Sequence, residues 1–293
     1  MTAYKKTLRL IFPDWQHGPN PSSGLVPRLM ATIAPNSGSA ETAEIPALDA
    51  GVEPTHVGLM EAQALSCLPE VDYHGYRKET LAIMEEKQPD RLISFSTDGA
   101  VTLFTADYLH GLYEDLGVLW IDAHREPVTP ERFWKRRVIF SGAITGNQEV
   151  LEGIVLKPIP KDRFMFLTRK PDDIPPSDKA QFEHLGIELA GPDAVSLESG
   201  RITGWLKEKG IKHLIVHIDL DSVGSADLRS GIFREENLAA ISAEHESAVP
   251  QFRKLFKEIL QETDIVGFDL MEYELIQSSD FTALMADLPI FND

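Results

Sequence analysis

Short apolar runs alternate along the chain with longer segments of helical periodicity, and few folds accommodate such an alternation. Some runs, such as 117–121 and 214–218, are almost continuously apolar, as strands covered on both faces require. The pattern therefore predicts an α/β fold in which helices cover a mostly parallel sheet.

The predicted elements follow directly from this pattern. The strands are expected at 8–12, 43–48, 91–95, 117–121, 164–168, 211–218 and 265–270. The helices are expected at 25–33, 77–86, 101–114, 202–209, 249–262 and 281–287. Periodicity resumes soon after the Pro-containing segments 18–24 and 170–177, which indicates loops rather than linkers. We expect one domain spanning residues 1–293.

Composition excludes several classes of partner. The formal net charge of -18 opposes general binding to nucleic acid or to anionic membranes.

Cys67 is the only cysteine, so no intramolecular disulfide can form. The first residues lack the apolar run of a signal peptide, and no segment is apolar enough for a membrane span. The expected location is the cytoplasm.

Acidic residues follow two of the most apolar predicted strands. Asp122, His124 and Glu126 come after 117–121, and Asp219 and Asp221 come after the strand at 211–218. Period-two spacing sends the members of each set to the same side of an extended segment. Either set alone is more typical of a turn or a helix cap. Together they favour a metal site, since mixed carboxylate and imidazole ligands suit Mn²⁺, Fe²⁺ or Zn²⁺.

These motifs resemble those of the ureohydrolases, the family of arginase, agmatinase and formiminoglutamase. Trp120-Ile-Asp122-Ala-His124 resembles the family's W-x-D-A-H-x-D, and His217-Ile-Asp219-Leu-Asp221 resembles its S-x-D-x-D. The segment 268–272 resembles the one that carries a late, substrate-contacting glutamate, here Glu272. The segment 96–100 stands in the place of G-G-D-H-S.

The resemblance implies a three-layer α/β/α domain with a mostly parallel sheet of about eight strands. It implies a pair of Mn²⁺ ions that activate water for attack on a guanidino or formimino carbon. Asp122, His124, Asp219 and Asp221 would hold one ion, with Asp122 and Asp219 reaching the other. Glu272 would bind the guanidinium, and Asp122 and Glu272 are the catalytic candidates. The family also implies a homo-oligomer.

The chain departs from the family pattern at the second metal position. Gly99 stands where the family has a histidine ligand, and the other terminal carboxylate is Glu126, one methylene longer than the usual aspartate. His217 replaces the serine that precedes D-x-D. Arg125 forms a structural ion pair with nearby acids, contacts an acidic group of the substrate, or replaces the charge of a metal ion.

Two interpretations of function therefore stay open. In the first, the protein hydrolyses non-peptide C–N bonds of guanidino compounds, formimino compounds or other linear amidines, with one Mn²⁺ or two. In the second, it is a catalytically inactive relative that keeps the pocket and acts as a binding or assembly protein, because function belongs to the site rather than to the fold. The sequence favours the hydrolase.

Overall fold

The sheet has eight strands, and every pair of neighbouring strands is parallel. The structure, a computed structural model, describes residues 5–13, 25–38, 40–46, 73–96, 99–122, 144–146, 155–167, 174, 176–191, 200–219, 249–271 and 279–292. The strands are β1 (Thr7–Ile11), β2 (Glu41–Glu44), β3 (Arg91–Ser96), β4 (Leu116–Ile121), β5 (Phe164–Leu167), β6 (Glu188–Ala190), β7 (His213–Asp219) and β8 (Asp264–Met271). Their spatial order is β2-β1-β3-β8-β7-β4-β5-β6.

Six of the seven described helices lie between successive strands, and the seventh follows β8. They are α1 (Val26–Ile33), α2 (Tyr73–Lys87), α3 (Thr102–Leu112), α4 (Pro176–Leu185), α5 (Arg201–Glu208), α6 (Val249–Glu262) and α7 (Ser279–Ala286). Short 3₁₀ helices occupy Gly99–Val101, Lys161–Arg163 and Pro289–Phe291. Among the described residues, no helix combines the length and the apolar character that crossing a bilayer requires.

Two apolar cores lie on opposite faces of the sheet. Successive residues of β4 alternate between them: Leu119 and Ile121 belong to one core, and Val118 and Trp120 to the other. Helices α1, α5, α6 and α7 cover the first face, with Met30, Trp205, Phe256 and Leu284 buried there. Helices α2, α3 and α4 cover the second, with Met84, Leu109 and Phe182. The predicted three-layer α/β/α architecture is confirmed.

Sequence predictions fail mainly at the two edges of the sheet, which are formed by β2 and β6. The second strand lies at Glu41–Glu44 rather than 43–48, because it is an edge strand with mostly exposed side chains and lacks a diagnostic apolar run. Strand β6 was not predicted, since it has only three residues. Helix α4 begins at Pro176, inside the predicted loop 170–177, and proline is compatible with a first helical turn. Strand β7 begins at His213 rather than at residue 211.

Gly267 in β8 packs too closely against neighbours to accept a side chain. A Cβ there would lie 2.7 Å from Cγ1 of Ile215 and 3.0 Å from Cδ1 of Leu109. We expect Gly267→Ala to lower the free energy of unfolding by about 1–3 kcal/mol, as overpacking of a core does. Gly204→Ala is the control, because nothing lies within 4 Å of a Cβ in α5, and it should stabilise by up to about 1 kcal/mol. Urea unfolding of both variants measures the contrast, and equal stabilities would contradict this packing.

Candidate active site

The strands that precede the predicted site residues are neighbours at the centre of the sheet, in the order β3, β8, β7, β4. Because all four are parallel, their carboxyl ends meet at one edge. In open α/β sheets, ligands bind in the crevice outside that edge. The paired residues Ile121 and Ile218 are followed by Asp122 and Asp219, so these two backbones stand level at the ends of adjacent strands.

Asp122 is completely buried one residue beyond β4. Its main-chain N–H donates to the carbonyl oxygen of Leu167 at 3.1 Å, which holds the backbone against β5. The indole Nε1–H of Trp120 donates to its Oδ2 at 3.2 Å. A buried ionised carboxylate requires a cation or several donors to offset its lost hydration, and the indole N–H of Trp120 is one such donor.

The structure describes the other predicted site residues only in part or not at all. Asp219 ends β7, and its backbone alone is described. His124, Arg125, Glu126, Asp221 and Glu272 lie outside the described residues. Within the described part of the chain, no three histidine, cysteine or acidic residues are grouped as a metal site would need. The predicted ligand set therefore stays a prediction.

A second polar group lies beneath this edge and connects β7, β8 and α3. The hydroxyl Oγ1 of Thr102 is 2.9 Å from Nδ1 of His217 and 2.8 Å from Oδ2 of Asp269. A hydroxyl has a single proton, so when it donates to an ionised Asp269 it can only accept from His217. In that state Nδ1 of the imidazole carries a proton, and the ring orientation is fixed from one side.

Asp269 lies inside β8 rather than at the ligand edge. The strand continues to Met271, and Asp269 is level with Ser94 of β3 and His217 of β7. Complete burial raises its pKa from 3.8 to about 6, and hydrogen bonds with Thr102, Ser94 and Thr105 oppose the rise. Asp269 therefore lies beneath the residues at the ligand edge and is not one of them.

The space beside Gly99 is filled by the same group of residues. A Cβ at Gly99 would lie 3.1 Å from Cζ2 of Trp120 and 3.3 Å from Cε1 of His217. Both contacts are tighter than side chains normally make, so a histidine at position 99 would require the two rings to move. The glycine and His217 are thus sterically matched, which gives a physical reason for two departures from the motif pattern.

Sequence reasoning did not identify Trp120, Thr102 and His217 as a group of side chains that contact one another. Trp120 and His217 are level on adjacent strands, and their rings stack with centroids 3.7 Å apart at 21°. One signal was available, because Thr102 and Thr105 interrupt an otherwise apolar stretch of a helix whose first turns are buried. Buried hydroxyls are nearly always hydrogen-bonded, so such a pair indicates a polar partner in the sheet.

Comparisons with known proteins bear on the architecture. No protein-family model matches the sequence, and no curated protein matches it either. Arginase from Bacillus caldovelox superposes with a TM-score of 0.66 at 16% identity, over 99% of this chain and 98% of that one. Arginase from Entamoeba histolytica, in complex with L-ornithine, gives 0.64 at 12%, over 99% and 98%. The chain has the arginase fold.

The arginase fold is not confined to arginases. Formimidoylglutamase from Bacillus subtilis superposes with a TM-score of 0.56 at 11% identity, over 98% of this chain and 86% of that one. The expected architecture is thus confirmed by both the sheet topology and the solved structures. At such identities the arginase fold is what the likeness demonstrates, and the chemistry has to be argued from the site.

Proposed function

We infer that the protein is a metal-dependent hydrolase of the ureohydrolase type, acting on the C–N bonds of guanidino or formimino compounds. The observation that carries this proposal is Asp122, a fully buried carboxylate at the ligand edge of an arginase fold and level with Asp219 on the next strand. An enclosed acid in that position is better explained by a bound cation than by a structural role.

The residues proposed for this edge would fit Mn²⁺. Asp122, His124, Asp219 and Asp221 would hold one ion through carboxylate oxygens and an imidazole nitrogen, which are ligands that Mn²⁺ accepts. Glu126 is the remaining candidate for a second ion, and Gly99 contributes no side-chain ligand there. A bound divalent ion supplies Lewis acidity that lowers the pKa of water near a substrate carbon.

The substrate class follows from the charges proposed around this edge. Glu272 comes directly after β8, and its carboxylate would pair in bidentate fashion with a guanidinium or amidine. Arg125 would contact an acidic group at the other end of the substrate. Compounds with an amidine at one end and an acid at the other meet both requirements, and solved structures with this fold include arginases and a formimidoylglutamase.

The proposal treats residues 1–293 as one arginase-like domain, which is supported by a single superposition spanning 99% of the chain. A homo-oligomer in the cytoplasm is proposed on the motif resemblance alone.

A hydrolysis panel tests the proposed function. Protein saturated with Mn²⁺ is incubated with L-arginine, agmatine and N-formimino-L-glutamate, and urea, ammonia and formamide are measured. We expect L-arginine or N-formimino-L-glutamate, the two compounds that carry an acidic group, to be hydrolysed with turnover of about 1–10³ s⁻¹, the ordinary range for enzymes. A protein that binds Mn²⁺ yet releases none of these products would overturn the hydrolase and favour the binding-protein interpretation.

A further inference from the structure

The carboxylate of Asp122 is held by a side chain that the proposed chemistry does not use. Trp120 precedes Asp122 by two residues, and its indole N–H donates to Oδ2 at 3.2 Å. An aspartate carboxylate rotates easily about its last torsion, because that torsion has only a shallow preference. A well-placed donor restricts this rotation, and the indole N–H of Trp120 is such a donor to Oδ2.

Trp120 is itself held in place from both sides. On β7, the ring of His217 stacks on it with centroids 3.7 Å apart. On β5, Phe164 and Phe166 lie at centroid distances of 6.0 and 6.4 Å. The indole is 1% exposed, so its position is set by packing rather than by solvent. Because the two rings are in contact, movement of the His217 ring would displace the indole.

The ring of His217 is fixed in turn by Thr102, whose hydroxyl lies between Nδ1 and the carboxylate of Asp269. All three residues are buried. The result is a continuous series of contacts that runs from Asp269 on β8, through α3 and β7, to Asp122 after β4. A series of this kind resembles the outer hydrogen-bonding groups that orient metal ligands in proteins.

We propose that Trp120 is a positioning residue for Asp122, and that His217 and Thr102 hold Trp120 in the orientation this requires. The inference rests on the proposed function, in which Asp122 binds Mn²⁺. Loss of an outer partner of a metal ligand weakens metal binding by about 10- to 100-fold, so the effect expected from Trp120 is of that size.

Titration calorimetry with MnCl₂ tests this directly, because metal affinity is read without any substrate. Trp120→Phe keeps an aromatic ring against His217 and removes the N–H donor together with the second ring of the indole, so its Kd for Mn²⁺ should rise by about 10- to 100-fold. Trp205→Phe is the matched control, because it loses the same atoms from another buried indole. Its indole Nε1–H donates to the carbonyl oxygen of Asp162 at 3.1 Å, and α5 lies on the opposite face of the sheet. Its Kd should stay within about twofold of the wild type.

A second pair of variants addresses the support of Trp120 and serves if Trp120→Phe fails to fold. Thr102→Val removes the hydroxyl between His217 and Asp269, whereas Thr102→Ser keeps it. We expect weaker Mn²⁺ binding in the valine variant and recovery in the serine variant. The indole N–H signal of Trp120 in a ¹H–¹⁵N spectrum should move in the valine variant, while that of Trp205 should not.

The possible outcomes separate the two proposals. Wild-type protein that binds no Mn²⁺ overturns the proposed function, and the positioning role with it. Wild-type protein that binds Mn²⁺, together with Trp120→Phe and Thr102→Val within about twofold of its Kd, overturns the positioning role and leaves the proposed function intact. A selective loss in these two variants, with Trp205→Phe and Thr102→Ser unchanged, supports the positioning role.

Discussion

Replacing Asp122 by alanine should reduce hydrolysis of the best substrate in the panel by about a thousand-fold or more, equivalent to about 4 kcal/mol of transition-state stabilisation. The reason is the position of Asp122 in the fold. Asp122 is completely buried at the ligand edge, and its Oδ2 accepts a hydrogen bond from Trp120. Alanine removes the carboxylate proposed to bind Mn²⁺ without adding bulk to the core.

Asp115→Ala is the matched control for this experiment. Asp115 immediately precedes the other end of β4, where its carboxylate contacts Nδ1 of His213. The same strand therefore carries one aspartate at its ligand edge and one beside its amino end. Initial rates at saturating Mn²⁺ should fall only in Asp122→Ala. A folded Asp122→Ala protein with more than about a tenth of wild-type activity would contradict the proposed role.

Asp269→Asn should raise the free energy of unfolding above that of the wild type near neutral pH. In acid, the difference between the two proteins should be smaller in the variant's favour. Burial raises the pKa of Asp269 from 3.8 to about 6, so the folded protein binds a proton that the unfolded chain has lost. The associated stability is fully present below pH 3.8, declines as the pH rises, and is lost once the pH has passed about 6. At about 1.4 kcal/mol per pH unit, the change amounts to about 3 kcal/mol.

Urea unfolding of both proteins between pH 4 and pH 8 measures this effect. Asparagine is nearly isosteric, and its carbonyl oxygen can still accept from Thr102, so the comparison isolates ionisation. Thr102, Thr105 and Ser94 face the carboxyl group, and His217 reaches it through Thr102. The wild type should lose stability relative to the variant between pH 4 and about 6. Parallel stability profiles would contradict a raised pKa at Asp269.

The centre of the sheet was predictable because its strands are buried on both faces. Strands β3, β4 and β8 were expected at 91–95, 117–121 and 265–270, and they lie at Arg91–Ser96, Leu116–Ile121 and Asp264–Met271. Nearly continuous apolar runs leave few alternatives for such segments. The edge strands lack that signal, since β2 is mostly exposed and β6 has three residues.

The site was predictable only in part, for a different physical reason. Asp122 follows an apolar run, so its position at a strand end could be predicted from the neighbouring residues alone. The contacts of Thr102 with His217 and Asp269 join residues 115 and 167 positions apart in the chain. They depend on β7 lying between β4 and β8 and on α3 packing beneath them, and strand order is not encoded in any local pattern.

Metal analysis of protein purified without chelator and then dialysed against Mn²⁺ tests most directly whether a cation is held at this edge. We predict at least one equivalent of Mn²⁺ in the wild type and in Asp115→Ala, and less than about a tenth of that in Asp122→Ala and Asp219→Ala. Wild-type protein that retains no Mn²⁺, or equal Mn²⁺ in all four proteins, would contradict the account.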